Sequence, residues 1–184
     1  YGDTPTLPKI ETMPLNPMSP YAATKAAKEL YGAVFFKAYE LETIGLRYFN
    51  IFGPKQDPKS QYAAAIPKFI TAALNNDDIT IFGDGEQTRD FTYINNVVDA
   101  NLLACKAPKE SCGKAYNVGC GERISINDLI RNIIKITGSS STPKNEPTRL
   151  GDVRDSLASI ELAKENLGIT ESIKLTEGLS KTIE

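Results

Sequence analysis

The chain has 184 residues, 41% hydrophobic and 24% charged, with a formal net charge of −2. That balance fits a globular protein with one good core or two small ones and gives no basic footprint for nucleic acid or a membrane surface. It contains no histidine and only three cysteines, Cys105, Cys112 and Cys120, with no C-x-x-C spacing. A histidine-dependent triad is therefore excluded and a zinc site is not expected; free thiols in a reduced cytoplasmic compartment are the simplest account. No apolar run has the length of a bilayer span.

Tyr1-Gly2-Asp3 is neither an initiator methionine nor a signal peptide; it reads as the end of a strand leading into a Pro-punctuated loop, Thr4 to Pro17. The expectation is that these residues are the carboxyl portion of a longer protein. Ser19 then offers an N-cap and Pro20 a first helical residue, and the helix is predicted to run to about Glu42. Ala23, Ala27, Leu30, Val34, Ala38 and Leu41 form its apolar stripe, widened by Tyr31, Phe35, Phe36 and Tyr39. A helix so apolar needs two packing partners, a sheet and a second helix. The second can belong to the same chain or to a twin subunit.

Ile44 to Phe49 reads as a buried strand, Asn50 to Lys59 as a loop, Ile66 to Leu74 as a helix and Ile79 to Phe82 as a strand. A helix over Asn95 to Ala107, a strand over Ala115 to Val118 and a Ser125-capped helix to about Thr137 follow. Ser139 to Pro147 reads as loop, and Ser159 to Leu167 and Thr176 to Thr182 as short terminal helices. Strands alternating with helices predict layers with right-handed crossovers.

Tyr21 and Lys25, four apart at the start of the first helix, share one helix face. A cation beside a phenol favours the phenolate, which makes the pair a proton shuttle. Taken alone, a Y-x-x-x-K is a surface pair on an ordinary helix; the accompanying motifs change that. They are Ser19-Pro-Tyr-Ala-Ala-Thr-Lys25, Arg47-Tyr-Phe-Asn-Ile-Phe-Gly-Pro54, Tyr62-Ala-Ala-Ala-Ile-Pro67, Gly83-Asp-Gly-Glu-Gln-Thr-Arg-Asp-Phe-Thr-Tyr-Ile94, Tyr116-Asn-Val-Gly119 and Arg149-Leu-Gly-Asp152. In this order and over nearly the whole chain, they resemble the carboxyl portion of the extended short-chain dehydrogenases/reductases that act on nucleotide sugars. The likeness is nearest to the UDP-glucose and UDP-N-acetylglucosamine 4-epimerases.

The resemblance implies the carboxyl part of a Rossmann-like parallel sheet plus a small mixed α/β substrate-binding domain. Residues 1–54 and 91–119 would belong to the NAD-binding domain, and residues 55–90 and 120–184 to the sugar-nucleotide domain. It implies NAD as cofactor, a UDP-sugar as substrate and a homodimer through the helix that starts at Ser19. Tyr21 would be the acid/base at the sugar 4-hydroxyl, and Lys25 would hydrogen-bond the nicotinamide ribose and favour ionisation of Tyr21. Tyr48 and Phe49 would lie by the nicotinamide. Asn50 and Asn117 would face substrate, Ala65, Ile66 and Pro67 would border the uracil, Arg89 and Arg149 would grip the pyrophosphate, and Asp152 would accept from the ribose. Ser156 would stand beside the sugar 2-position, where a small residue leaves room for an N-acetyl group.

Without the motifs, Arg89 with Asp90 reads as a solvated turn and Arg149 with Asp152 as a local ion pair. Gly83-Asp-Gly85 lacks the Gly-Lys-Ser/Thr of a phosphate loop and reads as turn chemistry aiming Arg89. Ser159 stands where the family usually carries Asp, and Asn95-Asn96 where Asp-Asp is common. Neither the glycine-rich dinucleotide turn nor the Ser that partners the catalytic Tyr is in the sequence. Two other readings stay open: dehydration or decarboxylation on the same scaffold, which an upstream Thr-Asp-Glu would mark for a dehydratase, and a binding module without catalysis.

Overall fold

The structure is a computed structural model and describes residues 1–58, 65–149, 153–170 and 172–184. It is a layered α/β arrangement in which three of four two-stranded ladders are parallel. Strand β1 (Ile44–Tyr48) lies beside β6 (Lys114–Val118), and β2 (Ile51–Phe52) beside β5 (Thr92–Tyr93). Strand β3 (Ile79–Phe82) pairs with β8 (Pro143–Glu146), and β4 (Thr88–Arg89) runs antiparallel to β7 (Ile124–Ser125). Six α-helices are described: α1 (Pro20–Tyr39), α2 (Ala65–Asn75), α3 (Ile94–Ala104), α4 (Ile126–Thr137), α5 (Glu161–Leu167) and α6 (Leu175–Ile183).

Helix α4 shows how sequence sets structure in the core. The Ser125 hydroxyl accepts from the Asp128 amide at 3.0 Å and closes the first turn. Gly138, at φ 66°, ends the helix in the left-handed conformation. Between these caps Ile126, Leu129, Ile130 and Ile133 fall on one face and are buried. They pack with Phe69 and Ile70 of α2, Ile79 and Ile81 of β3 and Leu179 of α6. Burying each such side chain contributes roughly 1.5–3 kcal/mol.

Helix α1 behaves differently. Ser19 caps it, its hydroxyl accepting from the Ala22 amide at 3.1 Å, and it ends at Tyr39 rather than near Glu42. None of its residues is fully buried. Ala22, Ala26, Glu29, Gly32 and Phe36 are the half-covered ones, spaced four, three, three and four apart. The stripe expected to pack, from Ala23 through Leu41, points outward: Leu30, Tyr31, Val34, Phe35 and Leu41 are all exposed. Ala22, Ala26 and Gly32 let the helix backbone come close to β1 and β6, while most of its large apolar residues, Phe36 apart, stand exposed. Gly113, at φ 71°, fits beneath Phe36, where a Cβ would stand 2.3 Å from the ring.

Two further expectations are corrected. The stretch Ser139 to Pro147 is not all loop, because Pro143–Glu146 is an edge strand. All four of its side chains are exposed, so no apolar alternation marks it, and a proline is tolerated at the first residue of an edge. Residues 50–59 likewise contain β2, too short for periodicity to reveal. The described residues contain no helix long and apolar enough to cross a membrane.

Candidate active site

A cavity of about 530 Å³ opens between α2, β3 and β4, a volume suited to a mid-sized organic ligand. Its apolar wall comes from Ile66 and Phe69 of α2 with Phe82 and Phe91, and its cations are Lys68, Arg89 and Arg149. The Arg149 guanidinium lies 3.6 Å from the Phe82 ring centroid, a stacked cation–π contact that holds it at the cavity. Arg89 Nη1 donates to the Thr88 carbonyl at 2.9 Å and the Arg154 carbonyl at 3.0 Å. The acid on this wall, Asp78, is engaged outward with Lys144 and Thr142. The cavity is therefore net cationic and matched to an anion.

The turn before Arg89 is built as its residues require. Gly83 and Gly85 take φ 89° and 77°, and at Gly85 a Cβ would stand 2.1 Å from Asn127 Oδ1. Asp84 accepts from the Glu86 amide and receives a fork from Arg154, all three bonds at 3.0 Å. Thr88 is tied by its hydroxyl to Asp155 at 2.5 Å, and that bond leads the causes that hold the Asp155 carboxyl below its ordinary range. One residue on, the Ser156 amide donates to the Thr88 carbonyl at 3.1 Å. Ser156 is thus half-buried beside Arg89's strand, although its side chain is not in the cavity lining.

Asp90 is no solvated turn residue. It is fully buried, and its carboxylate accepts from the amides of Cys120 at 2.9 Å, Gly121 at 3.1 Å and Ala158 at 3.1 Å. Burial pushes its pKa up, opposed by these three donors. Its carbonyl accepts from the Asn50 amide at 3.0 Å, which holds Asn50 in the cavity wall.

The other candidates divide between cavity and frame. Ala65 and Ile66 line the cavity, and Pro67 is buried behind them. Asn117 does not reach it: the side chain is fully buried, donating to the carbonyls of Lys9 at 2.9 Å and Ser159 at 3.1 Å and accepting from the Tyr1 hydroxyl. The role expected of Asn117 at substrate gives way here to anchoring the amino-terminal loop. Phe49 is buried with its ring 6.3 Å from that of Tyr1, whereas Tyr48 is exposed and donates its hydroxyl to Asn101 at 3.0 Å. Asp152 and residues 62–64 of the third motif lie outside the described residues.

Tyr21 and Lys25 do share a helix face. Lys25 Nζ lies 4.9 Å from the Tyr21 ring centroid. Tyr21 is 64% exposed and stands on the open flank of α1 rather than in the cavity wall. Lys68 and Gln87 were not anticipated by the motifs. Gln87 donates to the Phe82 carbonyl at 2.7 Å, and its buried amide oxygen has no hydrogen-bond partner among the described residues. Its place between Gly85 and Arg89 was the available signal. Nothing in the sequence around Lys68 distinguished it from a surface lysine.

A largely parallel α/β frame thus carries a cationic, aromatic-walled cavity and, on a separate helix, a Tyr–Lys pair. The sequence matches the NAD dependent epimerase/dehydratase family over residues 1–119, and the chain belongs to that family. It is 38% identical over 184 residues to the UDP-glucose 4-epimerase of Mycolicibacterium smegmatis, covering all of this chain and 58% of that protein. It is similar in structure to the UDP-N-acetylglucosamine 4-epimerase of Methanobrevibacter ruminantium in complex with UDP-N-acetylmuramic acid. The TM-score there is 0.92 at 39% identity, over 100% of this chain and 58% of the other. A UDP-glucuronic acid 4-epimerase of Bacillus cereus, in complex with UDP-glucuronic acid and NAD, gives a TM-score of 0.88 at 33% identity, covering 100% and 57%. The chain thus spans somewhat more than half the length of these relatives.

Proposed function

We propose that this chain is the carboxyl portion of an NAD-dependent UDP-sugar 4-epimerase, interconverting UDP-glucose with UDP-galactose or their N-acetylhexosamine counterparts. The observation that carries the reading is the combination, on one family frame, of a Lys-backed tyrosine and a separate cavity holding two arginines. Residues 1–54 and 91–119 form what is present of the cofactor domain, and residues 55–90 and 120–184 the sugar-nucleotide domain. The 184 residues alone do not turn over, because the glycine-rich dinucleotide turn and the partner Ser are not among them.

Arg89 and Arg149 fork onto the pyrophosphate oxygens, and Asp152 accepts from the ribose. Ala65 and Ile66 border the uracil with Pro67 behind them, while Asn50 faces the sugar and Ser156, on the segment beside Arg89, stands toward its 2-position. The NAD-binding chemistry fits the donors at hand: an exposed ammonium on Lys25 for ribose hydroxyls, with Tyr48 and Phe49 at the end of β1. NAD, when bound, supplies a reversible hydride acceptor at C4. Tyr21 takes the C4 hydroxyl proton and later returns it, and Lys25 stabilises the phenolate between those events. Firm hold on the diphosphate and few polar contacts to the hexose let the keto sugar present its other face. A homodimer through α1 covers the outward apolar stripe, and the free cysteines suit a reduced cytoplasmic setting.

The test is turnover of the intact gene product on UDP-glucose and on UDP-N-acetylglucosamine. Faster conversion of the N-acetylated pair is expected from the small Ser156. Tyr21→Phe should retain NAD and lose about 10²–10⁴-fold in kcat; unchanged turnover would remove Tyr21 from the mechanism. Release of water to a 4-keto-6-deoxy product, with no epimer formed, would favour the dehydratase reading instead.

A further inference from the structure

Tyr21, Lys25 and Glu29 stand four residues apart in succession on α1, so Lys25 has a phenol one turn before it and a carboxylate one turn after. A lysine in that place has two partners to choose from, the phenol ring and the carboxylate. In the structure the choice has been made: Lys25 lies over the Tyr21 ring and forms no ion pair among the described residues. Glu29 is occupied elsewhere. Its two carboxylate oxygens accept a fork from Arg47, from Nε at 2.8 Å and from Nη2 at 2.5 Å.

Arg47 is itself held from behind. Its Nη1 donates to the Tyr1 hydroxyl at 2.7 Å and to the Glu11 carbonyl at 3.2 Å, and it stands on β1 in register with Asn117 of β6. The Arg47 and Glu29 side chains are only 15% and 22% exposed, so water screens this bond far less than a surface pair. A bidentate, shielded guanidinium–carboxylate bond outcompetes a solvated single ammonium for the same acid.

We propose that Arg47 is a positioning residue that withholds Glu29 from Lys25, leaving the ammonium to serve Tyr21. This rests on the functional reading above and deepens it. Without the guanidinium, Glu29 swings one turn toward Lys25, pairs with it and draws the cation off the phenol. Two contacts independent of the fork keep α1 docked meanwhile: the Thr43 hydroxyl donating to the Gly32 carbonyl at 2.8 Å, and Phe36 seated over Gly113.

The decisive comparison uses Arg47→Leu, Glu29→Gln and the double variant in the intact gene product. Arg47→Leu should lower kcat about tenfold or more while KM for the UDP-sugar stays within about twofold; Glu29→Gln alone should cost less than about threefold. Adding Glu29→Gln to Arg47→Leu should restore kcat to within about threefold of the parent. A merely structural role predicts the opposite, a double variant as slow as Arg47→Leu, and that result overturns the proposal. Should Arg47→Leu fail to fold, Arg47→Gln gives the same comparison. An activity-free readout runs beside it: the Lys25 side-chain methylene resonance, shifted by the Tyr21 ring current, should move toward its random-coil value in the Arg47 variant and return in the double variant. An unmoved resonance overturns the proposal even in an active enzyme. Absence of turnover on any UDP-sugar would sink the functional reading while this resonance still decided the clamp.

Discussion

The two helices that begin at Ser-capped turns, α1 and α4, make the instructive contrast. Both carry an N-cap hydroxyl and both are rich in apolar residues, yet α4 buries four of them and α1 buries none. In α4 the apolar face points into the shared core of α2, β3 and α6. In α1 the face that meets β1 and β6 is small-residued and carries Glu29, and its bulky residues look outward. Apolar periodicity therefore gives the face a helix offers for packing: in α4 that face is covered within this chain, and in α1 it is exposed.

Several changes would sharpen or break that contrast. The largest effect is expected in the frame behind the cavity, at Asp90→Ala. Three amides, those of Cys120, Gly121 and Ala158, lose their common acceptor in a buried place. At roughly 1–3 kcal/mol for each orphaned donor, the loss should reach at least about 3 kcal/mol by denaturant unfolding. A cost under about 1 kcal/mol would show the carboxylate to be incidental. Next, Ile133→Ala in α4 should cost about 2–5 kcal/mol, since Ile133 is fully buried. Leu30→Ala in α1, 59% exposed, should stay within about 0.5 kcal/mol in this chain. The same Leu30 change in the intact gene product is the informative arm: a penalty above about 1 kcal/mol there, with a shift toward monomer in sedimentation, is what the proposed dimer requires.

The smallest effect is electrostatic and pH-linked. The native carboxyl of Asp155 lies below its ordinary value, first because the Thr88 hydroxyl donates to it. The unfolded chain therefore binds the proton more readily, so the stabilisation is present above the ordinary carboxylate range and fades as the pH falls through the depressed value. Because this side chain is about one-third exposed, the contribution should be under about 1 kcal/mol. Asp155→Asn should flatten that acid limb in thermal melts taken from pH 6 to pH 2. Asp90 carries the opposite sign, its raised pKa removing stability as the pH rises through it. An acid limb unchanged by Asp155→Asn would mean that the Thr88 tie does not persist in solution.

How much of this was legible beforehand follows from the kind of force involved. The Ser125 cap is a local signal, and the helix it opens could be read to about Thr137, where the structure ends it at Gly138. Arg89, Arg149, Ala65 and Ile66 could be brought to one cavity because they sit in ordered motifs. Asn117 could not be read correctly, since only three-dimensional contact with Lys9 and Ser159 uses up its donors. The edge strand at Pro143–Glu146 was hidden for a related reason: it is held by backbone bonds to β3 and leaves no side-chain pattern. The Arg47–Glu29 fork joins residues 18 apart across a helix and a strand, beyond any spacing rule.

The Asn117 amide carries a consequence for where the polypeptide can be cut. One of its donor bonds reaches back 108 residues to Lys9 and the other forward 42 to Ser159. A product ending before residue 159 would seal that nitrogen into the interior half-bonded, a debt of about 1–3 kcal/mol. The last 25 residues of the chain thus begin just beyond a latch that fastens its opening loop.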